Sequence, residues 1–314
     1  MKKTIFPKVI AIALMAQCLT TSCSKDDPVS SAPPVSVAID IAPPDTSDYA
    51  TVHFSTFARD IEECTDGFQI SHTAFARTRG ELVADGKALT DLWILDYIGS
   101  TLQQQIHQVN SDDDFGEPTL NLSTGSHHIY FIASRGQSPT LSTANHMLTF
   151  GKVLDTFWLD YALNVTATSS GNRSVTLDRI VTKLVLTITD EIPDNAATFN
   201  IIPDEWNYGF DYMTGNPTAA TASQSIVVNI PASSIGKSGE SVNVFGFSTT
   251  EEWTTDVVLN CESSDNTTLG TATLTAVPLV RNRITNMSGP LFSSNGTTTV
   301  GLAATWSDSY NDTW

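Results

Sequence analysis

Apolar side chains recur in this chain at every second position over short runs, the period of a strand with one buried face. Residues 35–41 set Val35, Val37, Ile39 and Ile41 on one side and Ser36, Ala38 and Asp40 on the other, and Pro43-Pro44 ends the run. Residues 51–57 alternate in the same way and 68–75 more weakly, with an acidic, turn-rich piece over 60–67 between them. In 89–97 (LTDLWILDY), Trp93, Leu95 and Tyr97 face one way and Leu92 and Ile94 the other. Two apolar faces predict a strand in the middle of a packed sheet. Residues 120–122, a Ser-Thr-Gly turn and 127–133 read as a hairpin, in which His127 and His128 point to opposite faces and so cannot share one metal. The alternation lapses over 147–163, where Met147, Phe150, Leu154, Phe157 and Trp158 form a stripe that predicts a short helix.

The longest strand signal covers 175–189, with Ile180, Leu184, Leu186 and Ile188 on one face and Val181 and Val185 opposite. Ile226, Val228 and Ile230 alternate until Pro231, and short strands follow over 242–247, 257–261 and 271–277. A final run over 297–306 aligns Val300, Leu302, Ala304 and Trp306, behind a joint rich in Gly and Asn. A terminal alternating strand of this kind can be kept at home or shared with a neighbouring molecule. Short strands punctuated by turns predict an all-β chain built as β-sandwiches. Ser169-Ser170-Gly171-Asn172 is the natural boundary, giving two tandem β-sandwich domains over 35–170 and 171–314.

The N-terminus adds a destination. Lys2, Lys3 and Lys8 precede an uncharged apolar run over 9–15, and small residues lead into Cys23. That is a secretory signal over 1–22, and its cysteine resembles the acylated cysteine of bacterial lipoproteins. The sequence Ser24-Lys25-Asp26-Asp27 is similar to the acidic export signal of Bacteroidetes surface lipoproteins, and 23–34 is a Pro/Ser tether. Lipidation at Cys23 would anchor the chain to outer-membrane lipid at the cell surface.

Sixteen basic against 34 acidic residues leave a net charge of −18, which repels nucleic acid. Cys18 leaves with the signal; Cys64 and Cys261 are read as two separate buried thiols, with a bridge between them the alternative. No metal-ligand spacing is present, and the acidic run Asp112-Asp113-Asp114 lacks the alternation of a calcium loop. There is no nucleophile elbow, zinc-protease motif or phosphate loop, so no enzyme and no cofactor are expected. Glu251-Glu252 are adjacent on a strand and face apart. Arg77-Thr78-Arg79 is a basic pair in an acidic chain, a candidate cut for a trypsin-like protease. Trp206, Tyr208, Phe210 and Tyr212 lie in one Gly-rich loop and would suit an aromatic platform for a glycan, the alternative role for a surface lipoprotein.

Four features together resemble the fimbrillin family of Bacteroidales, the subunits of type V pili. They are the lipoprotein start at Cys23, the 89–97 strand followed by the 120–134 segment, VTLDRIVTKLVLTITD over 175–190, and VPLVRNRITNMSGPLF over 277–292. The resemblance implies two sandwiches of transthyretin-like topology and export as an outer-membrane lipoprotein. It also implies removal of an N-terminal segment by an Arg-specific protease, here at Arg77 or Arg79, with Arg59 the alternative. Assembly would then proceed by strand exchange with other fimbrial subunits. The donated strand would carry Val300, Leu302, Ala304 and Trp306, in a stalk, tip or anchor subunit serving adhesion to a host protein or glycan.

Overall fold

A computed structural model describes residues 49–58, 82–84, 87–135, 139–218, 221–222, 224–293 and 309–313. Cys23, the 35–41 and 68–75 runs, Arg59, Cys64, Arg77, Arg79 and the 297–306 run lie outside the described residues. The described chain is all-β, in sandwiches. The first half contains β1 (Tyr49–Ala58), β2 (Asp91–Ile98), β3 (Thr101–Val109), β4 (Thr119–Ser123), β5 (Gly125–Ser134), β6 (Thr156–Val165) and β7 (Gly171–Arg179). The second contains β8 (Val181–Ile188), β9 (Ala196–Pro203), β10 (Ile226–Asn229), β11 (Glu240–Phe247), β12 (Trp253–Ser263), β13 (Thr268–Leu279) and β14 (Ile284–Gly289). A last strand, β15 (Ser309–Thr313), follows.

The two halves have the same topology. In the first, antiparallel strands in the order β3-β2-β5-β6 face a sheet β4-β1-β7, in which β1 runs parallel to β7 and antiparallel to β4. The two sheets touch along one edge through only two residue pairs, Phe157↔Arg179 and Trp158↔Asp178. In the second half β10-β9-β12-β13 faces β11-β8-β14, and β8 is again parallel to the last strand and antiparallel to the fourth. Each half therefore brings its first and last strands side by side. β15 pairs with β14 in parallel, and among the described residues no strand holds the equivalent place in the first half.

Each sandwich has its own core. The first packs Val52 and Phe54 of β1 against Ile94, Phe131, Leu120 and Leu177, and the second packs Leu184, Leu186, Leu259 and Met287. A third cluster joins them. Leu95 and Tyr97 of β2 and Tyr130 and Ile132 of β5, on the face away from the first core, lie under Leu148, Phe150, Phe210, Tyr212 and Phe247. That layer is a small sheet in which 147–149 from the first half pairs with 209–211 from the second. It accounts for the two apolar faces of β2, since its second face is roofed by the other half of the chain.

Three expectations change here. Residues 147–163 form no helix: Met147–Thr149 and Thr156–Val165 are strands, and the stripe is divided between the joining layer and β6. The 120–134 stretch is not a hairpin, because β4 pairs with β1 while β5 pairs with β2 and β6 in the opposite sheet. The long strand over 175–189 is two strands that part at Ile180. Gly171–Arg179 pairs with β1, and at Ile180 the chain crosses from that sheet into β8. The crossing is fixed by a buried ion pair, in which the Arg179 guanidinium donates to both carboxylate oxygens of Asp155 at 2.7 and 3.1 Å and lies over the Phe157 ring. An alternating pattern cannot register such a break, because strand residues on either side of Ile180 keep the same period.

Candidate functional site: the first and last strands

The first strand is not at an edge. β1 lies between β4 and β7, pairing with five residues of one and seven of the other. Its inward side chains Ala50, Val52, Phe54 and Thr56 are buried. The Phe54 ring centroid lies 5.1 Å from that of Phe131 and 5.6 Å from that of Tyr161. Further along, Phe54 N–H donates to Pro118 O and Thr56 N–H to Gly116 O, at 2.9 and 3.0 Å. Outward, Tyr49, Thr51 and His53 are exposed. Losing this strand would leave two rows of unpaired backbone groups and an apolar trough four side chains long.

The last strand leaves from a fixed root. Just after β14, the Asp190 carboxylate accepts the backbone N–H groups of Leu291 (2.9 Å), Phe292 (2.7 Å) and Ser293 (3.0 Å) in succession. Burial alone would raise the pKa of Asp190, but those donors outweigh it and hold the carboxyl below the usual carboxylate range. Leu291 is buried in the second core, and its carbonyl passes so close to Gly270 of β13 that a Cβ there would meet it at 2.5 Å. Residues 291–293 are thus pinned across the gap between β13 and β14. β15 then rejoins the sheet beside β14, Ile284 against Ser309 through Ser288 against Thr313.

The other candidates have structural roles. Trp206, Phe210 and Tyr212 are buried, so the aromatic loop is no open platform. Trp206 Nε1–H donates to Phe245 O at 3.0 Å, and the Tyr212 and Tyr97 hydroxyls share a hydrogen bond of 2.7 Å across the joint between halves. Burial pushes the neighbouring Tyr130 up to about 12, with Asp160 adding to it. Arg281, of the basic segment near the end, donates to Ser248 O at 2.9 Å and to Gly215 O, tying the second half to the joining layer. Asp112 accepts the Val109 N–H at 2.8 Å and so closes the end of β3, and among the described residues no three His, Cys, Asp or Glu side chains are grouped to hold a metal. His127 and His128 do face apart. His127, fully buried, lies between Asp96 Oδ1 (2.6 Å) and the Ser123 carbonyl (2.8 Å), while His128 pairs at the surface with Asp160. Burial raises the Asp96 carboxyl against the opposing pull of His127. Cys261 is a free, buried thiol pushed up to about 11 by burial and by the adjacent Glu262.

Sequence reasoning missed Asp190 and β15. Asp190 and its three donors are more than a hundred residues apart, and no local pattern links them. Ser309–Thr313 (SYNDT) has no apolar alternation to announce a strand.

A family model described as "Family of unknown function (DUF6562)" matches residues 142–314, more than half of the chain. No curated protein matches. Among solved structures, the chain is similar to a proposed adhesin from Bacteroides ovatus (12% identity, 74% of this chain and 85% of that one, TM-score 0.44). It is also similar to a proposed cell adhesion protein from Bacteroides fragilis (10%, 80% and 95%, 0.43). A third is a fimbrial assembly protein from Parabacteroides distasonis (9%, 79% and 92%, 0.39). At these identities and scores the likeness carries no argument about function.

Proposed function

Because the chain belongs to DUF6562, a family of unknown function, its role has to be argued from its own strands, and we propose that it is a structural subunit of a cell-surface fimbria. In this reading Cys23 is lipidated and carries the chain to the outer surface of the outer membrane. Cutting at Arg77 or Arg79 detaches β1, and the terminal segment of a second copy or related subunit, with Val300, Leu302, Ala304 and Trp306 as its apolar face, fills the vacated trough. The assembled fibre serves adhesion. It needs no enzymatic activity, cofactor or nucleic acid.

One observation carries the reading. The strand that such a cut would detach is the middle strand of its sheet, with four buried side chains on alternate positions, 50, 52, 54 and 56. The candidate donor has apolar residues on four alternate positions as well, 300, 302, 304 and 306. Matching period and number are what strand replacement requires, since a one-residue slip would turn every side chain to the wrong face. Donor and acceptor are different surfaces, so the contact runs head to tail and need not close. The glycan-platform alternative loses its support, because three of its four aromatic rings are buried.

Brief treatment of the soluble chain, residues 24–314, with low-dose trypsin tests this. Trimming at Arg77–Arg79 followed by a ladder of bands on a non-denaturing gel is the expected result. Trimming that leaves a monomer would overturn assembly by exchange.

A further inference from the structure

We propose that a cavity at the open side of the second sandwich binds one acidic sugar ring, the carboxylated unit of a glycan chain. This gives the adhesive role proposed above a ligand and rests on that role for its purpose; the site itself is argued from its lining.

The cavity measures about 220 Å³ and lies where β10 and β11 come together. Among the described residues each is the outermost strand of its sheet, so the core between the sheets comes nearest to the surface there. Residues 151–153, which leave the joining layer, and Tyr208 complete the wall. Val153 and Val244 are its buried apolar members, Tyr208 is half-buried, and Lys152, Gln224 and Asn243 are exposed at the mouth. An apolar interior with a few convergent polar groups is the composition of a small-ligand site. Such sites run to roughly 300–1,000 Å³ for drug-sized ligands, and the smaller volume here limits the occupant to a single ring.

A sugar ring offers an apolar C–H face and a rim of hydroxyls, and an acidic one adds a carboxylate. The lining answers each. Tyr208 is the one ring of the 206–212 aromatic loop that is not fully buried, and it is held at both ends. Its hydroxyl donates to the Gln224 carbonyl at 3.1 Å, and its own carbonyl accepts the Phe150 N–H at 2.8 Å. A fixed, amphipathic aromatic suits the C–H face. The side-chain amides of Gln224 and Asn243 can each donate to and accept from hydroxyls.

Lys152 selects the charge. It is the only charged side chain among the lining residues, in a chain with 16 basic against 34 acidic residues. Its place is set by its neighbours: Phe150 and Val153 are each 3% exposed and anchored in the cluster that joins the halves, so Gly151-Lys152 is a two-residue bridge held out at the mouth. An ammonium beside a half-buried ring, with no carboxylate in the lining to neutralise it, favours an anionic sugar over a neutral one.

Saturation-transfer NMR on the soluble chain, residues 24–314, tests this with sodium D-glucuronate, N-acetylneuraminate and, as the neutral reference, D-glucose. Saturation should pass to at least one acid and not to glucose; the acid that binds separates a uronic-acid polymer from a sialylated glycan as the source. Lys152→Glu should weaken binding of that acid at least about fivefold, and Asn243→Ala should weaken it as well. Lys87→Glu, the same charge change at an exposed site in the first half, should leave it unchanged. Binding of neither acid, binding of glucose as strong as that of an acid, or equal losses from Lys87→Glu and Lys152→Glu would overturn the proposal. The trypsin ladder is read independently on the same chain. A ladder without acid binding overturns this proposal alone, and acid binding without a ladder overturns only assembly by exchange.

Discussion

Truncating Phe54 tests most sharply how far β1 is integrated into the first sandwich. Its ring is 1% exposed and packs at 5.1 Å from Phe131 and 5.6 Å from Tyr161. Phe54→Ala removes a ring that neighbours from both sheets enclose, and core Phe→Ala changes cost about 3–5 kcal/mol. The two aromatic contacts, each adding about 0.5–1.5 kcal/mol beyond area, place it toward the upper half of that range. Such a loss is a large share of the roughly 5–15 kcal/mol that holds a folded protein together. With a urea slope of about 3 kcal/mol per molar, the unfolding midpoint should fall by more than about 1 M with the slope unchanged. Tyr49→Ala on the same strand, at 58% exposure, should stay within about 0.5 kcal/mol of the parent. Equal midpoints for the two variants would mean that β1 is not the inner strand of its sheet and leaves no trough when removed.

His127→Ala strands the buried Asp96 carboxylate without its partner and should cost about 3–5 kcal/mol, whereas His128→Ala at the surface pair should cost under about 1 kcal/mol; chemical denaturation of both variants checks this. Asp190 is held below its unfolded pKa, so its clamp contributes fully above the unfolded value and is lost as pH falls through the folded one. The stability gap between the parent and Asp190→Asn should therefore be constant near neutral pH and close only in strongly acid solution; a gap that widens in acid would contradict the clamp. Cys261, buried and with its thiol pushed up to about 11, should resist a thiol reagent at pH 8 in the native chain and react once unfolded; immediate native reaction would refute its burial.

Much of the fold is legible in the pattern of apolar residues, because alternation reports a half-buried strand directly. Runs such as 51–57, 127–133, 226–230 and 257–261 all became strands, and β2 was recognisable as doubly buried from Trp93, Leu95 and Tyr97 on one side and Leu92 and Ile94 on the other. Partnership between strands was less accessible. β4 and β5 look like a hairpin because only two residues separate Ser123 from Ser126, yet the chain changes sheets at Gly125, whose φ of 145° permits the bend. The stripe over 147–163 mimics a helix because two short strands and a turn share it between different cores. The internal repeat was invisible because equivalence resides in strand order, and the two halves need not share residues to share a topology. The site was partly readable: the alternation of the 51–57 run marked β1, but its central position depends on a parallel partner about 120 residues away.

Sedimentation equilibrium across a wide concentration range, on the full soluble chain before and after the cut at Arg77–Arg79, tests most directly whether copies join head to tail through their terminal strands. The account predicts a monomer before the cut and, after it, an open-ended series of masses that lengthens with concentration and collapses when residues 294–314 are deleted. A monomer mass that persists after the cut, or a dimer that grows no further, would contradict it.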